Sequence, residues 1–485
     1  MKYPFLLCFL FPLLLFAQYD YPLRIEIQTA KDAEDYSFKS LGKNGCMVIY
    51  EGNPLNKDSV VWLFMHYDTN LLKVKNATVP LPNDVHLAAT YSNDSMIYAL
   101  FQTNPQKKQI PKTYLATLDF KSYKYEYQEI KDFTSTNVFH ISVEKQHLIL
   151  FVSEKTHENV FFYNLAENSL KKLYFKDSEI YSVEFIFVDT LAQPSQVLLG
   201  LILKYDKYSV IKMFSADLDG NITQDFDFPN LANGMYNSAR IARIDSSSFI
   251  VIGTYDHIKK NPNYNLHSGV YTFIFKNGVI SEPQLYNFSQ LHEANVNTTS
   301  SGSAPSLQLI VGKITSDGSQ FGLTTEIFYP EYSNSEGGYY DFYNNYIPAT
   351  PSFIGYRYIN AYITTFDTNG LLKWSHYLPF GDMLTQRLTN RVSLHFDNPY
   401  TLIYYPYNYT LTSMLVNGRT IVEPLGRIKL ETNNPKDEIE YTKRLKMEHW
   451  YDNSFIVSGY QYIKSGIKGS KSKKYVFFAN KLKYF

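Results

Sequence analysis

The sequence predicts an all-β chain closed as a β-propeller, most simply of eight four-stranded blades, and three observations carry that prediction. Runs of alternating apolar and polar residues, the pattern of half-buried strands, recur along almost the whole chain. Tight polar turns punctuate them. The clearest unit is Tyr362–Trp374, YITTFDTNGLLKW, where alternation runs into Phe366, turns at Asp367-Thr368-Asn369-Gly370 and resumes before Trp374. Weaker copies return at a usual spacing of about fifty residues, the size of a propeller blade. A solenoid needs shorter repeats. Seven blades with a stray hairpin is the alternative, and a two-domain all-β protein is the competing architecture. Apolar recurrence at three- and four-residue steps is scarce, so little helix is expected.

Taken in order, Leu23–Gln28 alternates and reads as one isolated strand, followed by a polar break at Lys31–Asp35. Eight pairs of hairpins follow. The first hairpin of each pair turns at Gly42–Gly45, at Ser92–Ser95, at Glu144–His147 and around a longer connection with Pro194. It then turns between Ile244 and Phe249, Ile314 and Phe321, Phe396 and Leu402, and Trp450 and Phe455. The second hairpin is centred on Tyr67–Asn70, Asp119–Ser122, Ala166–Asn168, Asp217–Gly220, Lys276–Gly278, Asp367–Gly370, Val416–Gly418 and Ala479–Lys481. The last unit finishes at the chain end, so the ring should close by packing blade eight on blade one, with Leu23–Gln28 adding a strand as a clasp. Trp374 is expected to pack between blades. In Glu448-His449-Trp450 the two-residue period sends Glu448 and Trp450 to one face and His449 to the other.

Composition bounds the function. A chain of 485 residues exceeds one ordinary single-core domain, which suits a repeat whose core grows unit by unit. Lys+Arg and Asp+Glu are equal at 46 each, so no global field favours nucleic acid or an anionic membrane surface. Tyrosine is abundant, at 43 residues, and suits strands with one ring face packed and the hydroxyl near water.

The N-terminus reads as a processing signal over residues 1–17. Lys2 supplies positive charge, Phe5–Phe16 is almost wholly apolar, and Ala17 precedes the polar Gln18-Tyr19-Asp20. The apolar run is short for a membrane span, and no later segment approaches one, so no integral membrane segment is expected after cleavage. The expected location is periplasmic, outer-surface or secreted. The mature chain, 18–485, keeps a single cysteine, Cys46, and so has no internal disulfide.

One unit is out of step. Between Gly278 and Gly370 the spacing nearly doubles, and Ile327–Tyr358 holds the excess, with Gly337-Gly338 and three prolines, reading as a long loop inserted at 327–358. Ten of its last thirty residues are Tyr or Phe, double the chain average of 16%. Tyr329, Tyr332, Tyr339, Tyr340, Tyr343, Asn344 and Tyr346 form the candidate ligand-binding set. Tyr faces stack on the apolar side of a sugar, while hydroxyls and amides hydrogen-bond its edge. The simpler alternative is a lid that packs its aromatics against the blade.

The stretch from Glu326 to Trp374 also carries a resemblance. Glu326-Ile327-Phe328-Tyr329-Pro330, then Gly355-Tyr356-Arg357-Tyr358-Ile359-Asn360-Ala361, then FDTNGLLKW, resembles a pattern in uncharacterised secreted β-propeller proteins of Bacteroidota-type bacteria. The resemblance implies an exported propeller and offers no catalytic residues to carry over. The hairpin is also similar to the tryptophan-docking repeat of quinoprotein-type propellers. It is one residue shorter between Asp367 and Gly370, and most copies lack the Trp, so quinone binding is not implied. It differs from the sialidase Asp box, where the Asp-to-Gly spacing is two rather than three.

No catalytic, metal or cofactor motif stands out. Glu326, Glu331, Glu336 and Asp341 lie in or beside the insertion, where two carboxylates at the right separation would serve glycoside cleavage; solvated surface acids are the simpler reading. Asp217-Leu218-Asp219-Gly220-Asn221, with Asp225 beyond, spaces oxygens as a calcium loop does, but its glycine comes too early and no glutamate closes it. The eleven histidines are scattered. The reading is therefore a binding or scaffold module at the cell envelope, its ligand a glycan or a partner protein. The alternative is a propeller-based polysaccharide hydrolase using the loop carboxylates.

Overall fold

Two kinds of strand alternate in this chain, and their burial sorts them into layers. His147–Ser153, Gln196–Lys204 and Ser248–His257 are almost continuously apolar and buried, whereas Tyr125–Ile130, Ile222–Asp227 and Thr420–Lys429 are mostly exposed. A strand buried on both faces lies between stacked sheets, and an exposed one lies at a rim. The computed structural model describes residues 23–31, 36–104, 111–135, 137–153, 158–175, 181–205, 208–231, 234–257, 268–291, 307–333, 339–340, 346–347, 352–466 and 473–484. Residues 1–17, read above as a processing signal, lie outside that set.

The described chain forms eight antiparallel blades in sequence order. Blades 1 to 7 span 37–82, 85–130, 138–172, 181–227, 234–287, 308–385 and 393–429; blade 8 combines 438–483 with 23–29. The first strands of neighbouring blades touch one another, as Val85–Ser92 touches Val138–Glu144, so the first strands line the axis. Apolar side chains gather into eight clusters, one at each interface between successive blades, including blade 8 against blade 1. The protein is a β-propeller with its core distributed between blades. Trp374 packs between blades 6 and 7 as expected. Trp450 packs between blades 8 and 1, while His449 turns the other way and stacks on His395 of blade 7 at 4.1 Å.

Tyrosine earns its abundance at these interfaces. Tyr163, Tyr236, Tyr271 and Tyr358 are fully buried, and each hydroxyl finds an acceptor: Asn168 Oδ1 at 2.9 Å, the Pro229 carbonyl at 2.5 Å, the Ser238 carbonyl at 2.6 Å and the Thr389 carbonyl at 2.6 Å. A phenol fills the space of a core ring and still ties an otherwise unpaired carbonyl of an inner strand or loop.

The turn at Asp367–Gly370 is held by its own aspartate. Asp367 Oδ1 accepts from the Asn369 and Leu371 amides at 2.8 and 2.9 Å, and Gly370 adopts φ +77°. Asp68 and Asp217 repeat the arrangement, the latter accepting from Asn221 through both oxygens. The calcium-like spacing at Asp217–Asn221 thus serves a turn.

One expected turn is absent. Ala479–Lys481 lies inside a continuous strand, Lys473–Lys483, because blade 8 needs no fourth strand from the C-terminal segment. Leu23–Thr29 supplies it, pairing antiparallel with register Leu23↔Lys481 to Thr29↔Tyr475. Arg24 anchors the joint. Its side chain donates to Asn480 Oδ1 and Gln461 Oε1 at 2.6 Å each and to Glu26 at 2.8 Å, and lies over the Phe478 ring. The clasp read from the alternation of Leu23–Gln28 is therefore the closing strand of the ring. Among the described residues helix is confined to one short α-helix, Phe288–Leu291, and a 3-10 turn at Gly42–Asn44, and no helix there is long and apolar enough to cross a membrane.

Candidate functional site

Among the described residues, the first strands along the axis and the extension of blade 6 stand apart from the regular interblade packing. The inner strands that line the channel share an irregularity. In blades 2, 3, 4 and 5 the pairing of first and second strands slips by one residue, at Ala88, Phe139, Glu184 and Asn237. Each bulge leaves one residue outside the ladder and alters the local twist of the inner strand. A cavity of about 230 Å³ sits against these strands, lined by Tyr91, His140, Ser142, Glu144, Ile186 and Thr190 among others.

Three carboxylates join neighbouring blades. Glu158 of blade 3 accepts from the Val183 amide of blade 4 at 2.7 Å. Glu184 of blade 4 accepts from the Ala239 amide of blade 5 at 3.3 Å and from Arg240 at 3.2 Å. Glu326 of blade 6 accepts from the Arg391 and Val392 amides at the start of blade 7's inner strand, at 2.7 and 2.8 Å. In each case a carboxylate supplies acceptors to backbone N–H groups that the next blade's ladder leaves open. Burial raises the Glu158 carboxyl above its ordinary range, and raises that of Glu326 to about 7. Glu326 is wholly buried, which corrects its reading as a solvated surface acid: its strand position faces blade 7, and the second carboxylate oxygen has no hydrogen-bond partner.

The loop of blade 6 begins later and ends earlier than the expected insertion. The flanking strands run through Gln320–Tyr332 and Phe353–Asp367, so both ends of 327–358 are strand, paired out to Tyr332↔Phe353. Beyond them Tyr339-Tyr340 pairs with Tyr346-Ile347 in a small hairpin. An edge-to-face chain of rings climbs the arm: Phe328 to Tyr356 at 5.7 Å, Tyr356 to Phe353 at 5.0 Å, Phe353 to Tyr332 at 5.7 Å. It starts at a buried ring and ends at two exposed ones, Tyr332 at 53% and Phe353 at 46%. Glu331 is held by Arg357 at 2.6 Å, and Ser333 is tied to Ser352 at 2.7 Å.

Of the candidate ligand-binding residues, Tyr332 is exposed on this arm and Tyr329 is half-buried in its strand. Tyr339, Tyr340 and Tyr346 are placed by their backbone pairing. Tyr343 and Asn344 lie outside the described residues, as do Glu336 and Asp341. The sequence reading passed over Phe353 and Tyr356 as ring partners, although both stand in the same aromatic-rich stretch. It also passed over the channel residues, which carry no local signal.

No protein-family model matches the chain, and no curated protein matches it by sequence. Solved structures of similar arrangement include the polysaccharide lyase Uly1, at 9% identity and TM-score 0.46, covering 95% of this chain and 98% of that one. The β-propeller domain of the Trilobed protease from Pyrococcus furiosus is similar at 10% identity and TM-score 0.36, covering 81% and 93%. An oligogalacturonate lyase in complex with manganese is similar at 9% identity and TM-score 0.37, covering 90% and 96%. Likeness at these identities concerns the arrangement of strands and not the chemistry.

Proposed function

We propose that the protein is an exported binding module that presents the aromatic arm of blade 6 to a glycan at the cell envelope. The observation that carries this reading is the ring pair Tyr332 and Phe353, half-exposed at the end of a strand-paired arm whose innermost ring, Phe328, is buried. Rings fixed in this way lose little freedom when a sugar face stacks on them. Export rests on the apolar run Phe5–Phe16 and the small residue Ala17.

The hydrolase reading has less support. Glycoside cleavage needs two carboxyl groups flanking one open site. Glu326 is spent on backbone amides inside the blade 6–7 interface, and Glu331 is paired with Arg357. Among the described residues these two carboxylates of the arm do not form an open pair.

The test is a glycan array probed with the mature chain and with Tyr332→Ala and Phe353→Ala. Each substitution should weaken retention on the bound glycans by about tenfold, as loss of a stacking ring costs about 1–1.5 kcal/mol, with the melting temperature unchanged. Retention untouched by both substitutions would move the site off the arm. An envelope protein captured through the same two rings, with no glycan bound, would replace the glycan with a protein partner.

A further inference from the structure

We infer that the cavity between the inner strands of blades 3 and 4 binds one uncharged sugar ring, with Ser142, Glu144 and Thr190 on its hydroxyls and Ile186 and Val188 against its apolar face. This site lies apart from the aromatic arm and does not rest on it. The cavity sits where first strands turn into second strands, whereas the arm joins a second strand to a third, so the two occupy opposite ends of the ring.

The two-residue period of the strands builds the walls. In Val138–Glu144 of blade 3, Ile141 and Val143 pack toward blade 2, which turns His140, Ser142 and Glu144 to the other face. In Tyr181–Asp189 of blade 4, Ile186 and Val188 pack toward blade 3, and Thr190 continues that face just past the strand. Among the described residues Val138–Glu144 packs closely on Val85–Ser92 of blade 2 but not on Tyr181–Asp189. The space of about 230 Å³ lies in that wider gap, and the Tyr91 phenol of blade 2, hydrogen-bonded to Ser142, closes one side. At about 30 Å³ per water the volume matches seven or eight waters, or one small polar molecule. Each of the three strands also bulges just before its lining residues, at Ala88, Phe139 and Glu184. Bulges are common beside binding sites.

The lining selects its ligand by exclusion. An apolar molecule would strand Tyr91, His140, Ser142, Glu144 and Thr190 without partners. An anion would meet the Glu144 carboxylate, which makes no ion pair among the described residues. A cation would meet an imidazole held below its ordinary proton affinity by burial first, then by the charges of Lys313 and Lys39. What fits is a neutral molecule with several hydroxyls and one apolar face, which describes a pyranose. Glu144 Oε1 accepts from the Ser195 hydroxyl of blade 4 at 3.3 Å, which fixes the carboxylate across the gap. Its other oxygen has no hydrogen bond among the described residues and is left to accept from a sugar hydroxyl. The Ser142 and Thr190 hydroxyls both give and accept, and the uncharged His140 ring offers one donor and one acceptor. Ile186 and Val188 cover the C–H face of the ring, where burial of apolar surface adds to the polar contacts.

The experiment titrates the mature chain at neutral pH, by calorimetry and NMR, with glucose, galactose, mannose and rhamnose as separate neutral probes. Glucuronate and ethanolamine serve as the anionic and cationic probes. At least one neutral sugar should bind saturably, and the His140 ring signals, assigned by their loss in His140→Gln, should move with it. Glu144→Gln should weaken that binding by about tenfold, the loss expected of a hydrogen bond to a charged acceptor. Thr190→Val, at an exposed position where folding is not at stake, should weaken it by about fivefold. Glu167→Gln, on an exposed turn of the same blade, should leave binding as it is. The proposal is overturned if no neutral sugar saturates, or if glucuronate or ethanolamine binds more tightly than every neutral sugar. Binding untouched by both Glu144→Gln and Thr190→Val would also overturn it. So would equal weakening by Tyr332→Ala, which would put the sugar on the arm.

Discussion

At the scale of single residues, Glu326 shows how burial redefines a side chain. A carboxyl group enclosed between blades 6 and 7, with two backbone amides on one oxygen and nothing on the other, is held at a proton affinity of about 7. The unfolded chain releases that proton near the ordinary value of 4.5. Between those limits the folded protein binds more protons than the unfolded one, so stability falls as pH rises through this window. Glu326→Gln keeps an acceptor for the two amides and removes the titration. Its urea midpoint should match the wild type near pH 4 and exceed it above pH 7, by about 3 kcal/mol of unfolding free energy. A parallel decline of both proteins across the window would assign the pH dependence elsewhere. None of this was legible in the sequence, where Glu326 stands among surface-like acids. Its environment is made by Arg391 and Val392, more than sixty residues on.

At the scale of elements, what is local was legible and what is borrowed was not. The turn Asp367–Gly370 could be read because its hydrogen bonds close within five residues, from Asp367 Oδ1 to the Asn369 and Leu371 amides. Gly370 sits at φ +77°, and a Cβ there would meet Thr272 Oγ1 at 2.9 Å and Thr272 Cβ at 3.3 Å. Gly370→Ala should therefore destabilise by about 1–2 kcal/mol, combining left-handed strain with a contact to blade 5, measured by the shift in urea midpoint. An unchanged midpoint would mean that the turn relaxes at no cost. By the same logic Ala479–Lys481 was misread. Its Asn looks like a turn residue, but Asn480 is 1% exposed and accepts from Arg24, a strand partner contributed by the far end of the chain. The arm of blade 6 lies between these cases. Its aromatic richness was visible, but the length of its strands was hidden by Pro330 and Gly355, both of which the paired strands accommodate.

At the scale of the whole molecule, the eight interblade clusters make stability a property of the closed ring. Each blade buries its faces only against its neighbours, so opening any one interface exposes two apolar faces at once. Arg24 is the residue on which closure concentrates, with its side chain fully enclosed and donating to Glu26, Asn480 and Gln461. Arg24→Met should cost about 2–3 kcal/mol, because it strands Gln461 and Asn480 acceptors that no water reaches. The thermal midpoint should fall accordingly, and a midpoint within a degree or so of wild type would show that strand pairing alone holds the joint. The closure has a further consequence in time. Leu23–Thr29 leaves the ribosome before any blade exists, and its partner strand follows only after a loop of 456 residues between Arg24 and Asn480. Closing a loop of that length costs about 5 kcal/mol of chain entropy by the logarithmic law. Until it closes, Lys473–Lys483 is an open strand edge seeking any copy of the same seven residues. Two chains released close together would satisfy each other's edges as readily as their own, so crowded synthesis should yield strand-exchanged dimers that dilution alone does not undo.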